Sequence, residues 1–123
     1  MTQYEIVRQA IENRQQVRAT YGGHLRDMAP HLLGSKKGVA HGLFYQFGGT
    51  SETGLAPPQS PRNWRCLPID GLSELSVLGG EWHSAPLGRQ HQRCVDTVDV
   101  WARVQGFTVP AALLKSVKRA STP

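Results

Sequence analysis

The sequence predicts a mainly β domain with flanking helices. Helical spacing is confined to the two ends, short alternating apolar runs fill the middle, and clusters of Gly and Pro separate those runs. A chain of 123 residues has room for one compact domain and one core.

At the N-terminus, Thr2 stands three residues before Glu5, the spacing of a capping box, and Tyr4, Val7 and Ile11 then recur on one face. This predicts an amphipathic helix over residues 3–14. The period then changes to two: Val17, Ala19 and Tyr21 alternate with Arg18 and Thr20, as in a half-buried strand, and Gly22-Gly23 offers a tight turn. The next extended run, 24–33, contains Pro30, which places an edge, a strand end or a bulge there. A turn is expected over Gly34-Ser35-Lys36-Lys37-Gly38, followed by a strand over 39–47 whose Val39, His41, Leu43, Tyr45 and Phe47 share a face. The Gly- and Pro-rich stretch 48–61 reads as a loop between strands. Two further short strands are expected at 63–69 and 72–78. Residues 94–104 fit both periods, and their four valines favour a strand. The last stretch, 110–123, reads as a short basic helix, with Pro110 suited to its first turn and Lys115, Lys118 and Arg119 toward its C-terminal end. One leading helix and five or six short strands suggest a small barrel.

Fourteen Lys and Arg against nine Asp and Glu give a formal charge of +5, which favours anionic partners such as nucleic acid or nucleotides. Residues 1–90 carry a balance of +2 and residues 91–123 a balance of +3. No stretch approaches the roughly 20 apolar residues that cross a bilayer, and the opening residues lack the apolar run of a signal peptide. The expectation is a cytoplasmic protein with no membrane association. Cys66 and Cys94 permit one disulfide, but two buried thiols are the simpler expectation for such a protein.

Several segments in order resemble the WYL domain, a ligand- and nucleic-acid-binding module with an Sm-like, SH3-type barrel preceded by a helix. The resemblance runs over residues 5–78, about 60% of the chain. It is carried by Ala10-Ile11, Val17 and Tyr21, by Arg26, Met28, Pro30 and Leu33, and by Arg65, Leu67, Ile69 and Leu72. The triplet that names the family would fall on Ala40-His41-Gly42, and the family's later Arg near Gly71, so both depart from the pattern. The resemblance implies a WYL-like unit at 1–83 and a C-terminal extension at 84–123 packed on the barrel or on a partner. In the family a DNA-reading headpiece usually precedes the barrel. Only about sixteen residues stand before the first expected strand here, too few for a three-helix unit.

The family's ligand surface maps onto Tyr21, Arg26, His31, His41 and Arg65. An Arg fork pairs with phosphate or carboxylate bidentately, while His and Tyr add hydrogen bonds or stacking. The competing structural reading pairs Arg26 and Arg65 with Asp27 or Asp70 and makes Tyr21 a core residue. Neither zinc-ligand spacing among His24, His31 and His41 nor a GxSxG, SxxK or Walker pattern is present. On a strand, Asp96 and Asp99 would face opposite ways and share no acid–base work. Trp64, Trp82 and Trp101 are expected as core or interface anchors.

The expected function is a non-enzymatic ligand-sensing module without cofactor or metal, binding single-stranded nucleic acid or a nucleotide-like anion. It would act in regulation with a protein partner that carries the DNA-reading domain, as a homo-oligomer. The alternative is a protein–protein interaction or oligomerisation domain without a small ligand.

Overall fold

The capping box forms as the spacing predicts: Thr2 Oγ1 accepts the Glu5 amide at 3.1 Å and Glu5 Oε1 accepts the Thr2 amide at 3.1 Å. The structure, a computed structural model, describes residues 1–87 and 93–109. Helix α1 (Gln3–Asn13) buries Val7, Ala10 and Ile11, and Arg14 ends it in the left-handed region at φ 52°. The basic helix expected over 110–123 lies outside the described residues.

Six strands follow: β1 (Gln16–Tyr21), β2 (His24–Lys36), β3 (Val39–Gly49), β4 (Trp64–Pro68), β5 (Ser73–Leu78) and β6 (Thr97–Trp101). They form one antiparallel sheet in the order β4-β3-β2-β1-β5, with β6 also paired to β2. Among the described residues the pairing is open, with β4 and β5 at the edges.

Thirteen-residue β2 organises the sheet. Its first half pairs with β1 from His24 to Met28, its second half pairs with β6 from Leu32 to Ser35, and β3 pairs along nearly the whole of it. Pro30 lies between the β1-paired and β6-paired halves, and the register to β3 shifts between Pro30 and Leu32. A residue without an amide hydrogen is tolerated where one ladder ends and another begins.

The turn expected over residues 34–38 is shorter than the sequence suggests. Gly34, Ser35 and Lys36 remain in β2, and Lys37 and Gly38, at φ 50° and 81°, make the turn alone. The reason is a distant partner: Gly34 pairs with Val98 and Ser35 with Thr97. Gly34 also allows close approach, since a Cβ there would lie 2.1 Å from the Thr97 carbonyl oxygen.

Both faces of the sheet are covered. On one, Val7, Ala10 and Ile11 of α1 meet Val17, Met28, Leu33, Phe44 and Leu67. Tyr4 donates its hydroxyl to Asp99, and Arg8 reaches the same carboxylate at 2.6 Å, which ties the helix to β6. On the other face, Ala29, Leu43, Tyr45 and Trp64 pack with Ala85, Val95, Val98 and Phe107. The described part of the 84–123 segment therefore supplies a strand and one wall of a core.

The cysteines correct the thiol expectation. Cys66 of β4 and Cys94, just before β6, are joined as a disulfide with Cα atoms 5.6 Å apart. Twenty-eight residues separate them in sequence, and only the return of the chain toward β6 makes them neighbours. Closing a loop of that size stabilises the fold by about 3–4 kcal/mol in the chain-entropy account. Urea denaturation with and without a thiol reductant should differ by about that amount. Alkylation of both cysteines in the unreduced native protein would show that the bond does not form.

Candidate functional site

Alternation along β3 and β4 sets the first cluster. Gly42, Phe44 and Gln46 take the α1 face of β3, whereas Leu43, Tyr45 and Phe47 take the other, and Arg65 and Leu67 share the α1 face of β4. Gln46 is fully buried. Its Oε1 accepts from Arg26 Nη1 at 3.3 Å and from Arg65 Nε at 3.1 Å, while its Nε2 donates to the carbonyls of Gly48 and Thr50, each at 2.9 Å. A single neutral acceptor thus joins two cations.

Arg26 is only 4% exposed. Its Nε and Nη2 donate to the Tyr21 carbonyl, and its guanidinium carbon stands 5.4 Å from the centre of the Tyr21 ring. Arg65 Nη1 donates to the Arg62 and Trp64 carbonyls, and Nη2 donates to Ser51 Oγ and the Gly54 carbonyl. Among the described residues neither guanidinium has a carboxylate within 4 Å. Asp27 pairs with Arg18 instead, at 2.7 Å. Burial lowers the pKa of both arginines, and for Arg65 the charge of Arg26 lowers it further; for Arg26 the charge of Glu52 acts in the opposite sense.

The structure therefore brings together Tyr21, Arg26 and Arg65, and it places His31 and His41 elsewhere. His31 is fully buried on the opposite face, packed against the rings of Trp64, Trp82 and Phe107 at 4.6–5.0 Å. Its Nδ1 donates to the Ala29 carbonyl at 2.8 Å, and its Nε2 accepts from Ser84 Oγ at 2.9 Å. His41 lies five residues before Gln46 on β3, on the order of 16 Å along the strand, with Nδ1 on the Val39 carbonyl. Among the described residues no three His, Cys, Asp or Glu side chains gather as a metal-ligand set. No helix of the described residues is long and apolar enough to cross a membrane.

Two glycines near these residues stand in crowded places. A Cβ at Gly42 would stand 2.7 Å from the Phe44 ring and 3.1 Å from Ile69 Cδ1, and one at Gly71 would stand 2.6 Å from the Tyr21 ring. A long side chain at 71 would displace the ring that lies beside Arg26.

The sequence reading missed both Gln46 and a cleft of about 410 Å³ on the other face of the sheet. Tyr45, Phe47, Trp82 and His83 supply aromatic walls, and Leu55 and Pro58 close it from the loop after β3. The Asn63 side chain shapes that loop by accepting the Ala56 amide at 2.7 Å and donating to the Ala56 carbonyl at 2.9 Å. Gln46 was legible only as a polar residue within an apolar run. Residues 79–87, which carry Trp82 and His83, have no regular structure and hence no period to read.

Comparison of the chain with protein-family models, with curated proteins and with solved structures finds no match in any of the three.

Two outcomes follow from this geometry. Gln46→Leu strands one buried and one half-buried cationic donor group, and should lower unfolding free energy by about 2–4 kcal/mol. Equal urea midpoints for Gln46→Leu and the parent would show that the shared acceptor is dispensable. His31 is pushed down to about 4 by burial, so the unfolded chain binds its proton more readily than the folded one. Stability is complete above the ordinary His pKa of about 6.5 and falls as pH drops toward 4, by up to about 3 kcal/mol from this group. Denaturation at pH 7.5, 5.5 and 4 should show that fall, and His31→Gln should remove most of it.

Proposed function

We propose that this chain is a non-enzymatic binding module of the WYL type that takes a phosphate-bearing ligand, single-stranded nucleic acid or a nucleotide-like anion, at the Tyr21–Arg26–Arg65 cluster. The supporting observation is the meeting of two guanidinium groups at the neutral Gln46 oxygen, with no carboxylate within 4 Å of either among the described residues. Positive charge held largely out of water, with Glu52 near Arg26 but no carboxylate in direct contact among the described residues, favours the arrival of an anion. Three of Arg26's five N–H groups have acceptors. The remaining two suit a bidentate oxyanion contact, and the neighbouring Tyr21 ring suits stacking on a base. The order of the sequence segments over residues 5–78 and the antiparallel sheet preceded by a helix support an Sm-like or SH3-type barrel, and regulation through an associated DNA-reading protein accords with that resemblance.

Fluorescence anisotropy with a labelled 15-nucleotide oligo(dT) tests the reading. Binding should weaken with added salt, with a log–log slope of about −1.4 for two phosphate contacts on a single strand. Arg26→Lys keeps the charge but not the fork, and should cost about ten-fold in affinity. The double variant Arg26→Ala/Arg65→Ala should abolish binding, its fold being checked by circular dichroism. Salt-independent binding, or unchanged affinity in Arg26→Lys, would overturn the assignment.

A further inference from the structure

The aromatic cleft differs in chemistry from the arginine cluster. We propose that it is a second binding site, for a planar nitrogen heteroaromatic compound that is neutral or singly protonated and carries no phosphate.

The walls are flat and apolar. Phe47 and His83 stack with centroids 3.9 Å apart and planes 11° from parallel, and Tyr45, Trp82, Leu55 and Pro58 complete the enclosure. Pockets of roughly 300–1,000 Å³ with apolar walls and a few convergent polar groups are the usual form of small-molecule sites. The volume of about 410 Å³ falls in that range.

The polar groups select the ligand. Among the described residues Glu81 is the one charged side chain in the lining, and no described Lys or Arg joins it. An anion would find no counter-charge there, whereas a cationic or amino-bearing ring would find a carboxylate. His83 Nδ1 lies 2.7 Å from Gln16 Oε1, an oxygen that only accepts, so Nδ1 is the donor in that contact, and in the corresponding tautomer Nε2 is an acceptor. Trp82 contributes its ring rather than its Nε1–H, which is shielded from solvent and so out of a ligand's reach. Two acceptors among aromatic walls, the Glu81 carboxylate and His83 Nε2, match a ring that carries N–H donors at its edge.

The site is also held in place from several directions. Gln16 Oε1 accepts the His83 amide at 3.1 Å, Trp64 Nε1 donates to the Pro86 carbonyl at 3.0 Å, and Ser84 Oγ donates to His31. These contacts fix residues 83–86 against the sheet although they form no strand, so the cleft is built before a ligand arrives.

The test titrates the full chain with 2-aminobenzimidazole, a planar amino-heterocycle, and with benzoate, a planar anion of similar breadth. The readout is the indole N–H signals in a nitrogen–proton correlation spectrum, with the Trp82 signal assigned by its loss in Trp82→Phe. The Trp82 signal should shift saturably with 2-aminobenzimidazole and not with benzoate. Glu81→Gln, an exposed change that leaves the walls intact, should weaken binding by about five-fold. Phe47→Ala removes the stack and should weaken it by roughly 2- to 12-fold. An unmoved Trp82 signal overturns the proposal, as does an equal response to benzoate or an affinity unchanged in both variants. Because the probe carries no phosphate and Arg26 and Arg65 are untouched, the result is independent of the anion-site reading.

Discussion

The rest of the structure depends on β2 being hydrogen-bonded along both edges. One edge belongs to β3, and the other is divided between β1 and β6, which are far apart in the chain. That division requires a place where neither ladder needs a donor, and Pro30 supplies it. The register shift beside Pro30 has a second effect, since it accompanies the burial of His31 on the face away from α1. There the imidazole bonds to Ser84 and packs on Trp82. The register shift in β2 thus accompanies both the division of its edge and the anchoring of the segment that walls the cleft. The Ala102 amide, which donates to the His31 carbonyl at 2.7 Å, extends the contact with the β6 chain to the residue at the register shift.

The loop after β3 has a comparable role between the two candidate sites. Its first residues, Ser51 and Gly54, are held by Arg65 on the α1 side of the sheet, while Leu55 and Pro58 line the cleft on the other side. Asn63 closes the loop by pairing with both polar groups of the Ala56 backbone. A long connection rich in Gly and Pro is costly to order, and these side-chain contacts offset that cost by satisfying its backbone polar groups. The same contacts explain why the arginine cluster and the cleft have different electrostatics although one loop borders both. The Gly54 carbonyl turns toward the Arg65 guanidinium, and the Leu55 and Pro58 side chains line the cleft.

Local features of the sequence were the most legible. The Thr2–Glu5 capping box, the change of period after α1 and the Gly22-Gly23 turn each depend on neighbours in the chain, and each is present in the structure. Features set by distant partners were less so. Gly34 to Lys36 look like a turn and remain strand because Thr97 and Val98 pair with them, and the two cysteines look like separate thiols until β4 and the approach to β6 meet. For the site, the resemblance pointed to Tyr21, Arg26, His31, His41 and Arg65, of which Tyr21, Arg26 and Arg65 lie together. His31 and His41 have suitable chemistry but different surroundings: the first is enclosed by three aromatic rings, the second is well along β3. Gln46 escaped notice because both faces of the sheet are covered, so burial along β3 does not alternate and a buried amide leaves no break in the pattern.

The two arginines are not equivalent within their cluster. Arg65 meets five acceptors with its five N–H groups, four of those contacts lying in the chain between Ser51 and Trp64. Any ligand that engaged Arg65 directly would have to displace one of them and loosen the loop. Arg26 retains two N–H groups and lies beside the Tyr21 ring, and its acceptors are strand backbone and Gln46. The geometry therefore divides the labour: Arg65 organises the loop and adds positive charge at close range, while Arg26 is the group with hydrogen-bonding capacity left for an anion. Gln46 makes that division possible. It holds the two cations at one oxygen without neutralising either, whereas a carboxylate in its place would face the Gly48 and Thr50 carbonyls and cancel the charge that distinguishes this end of the sheet.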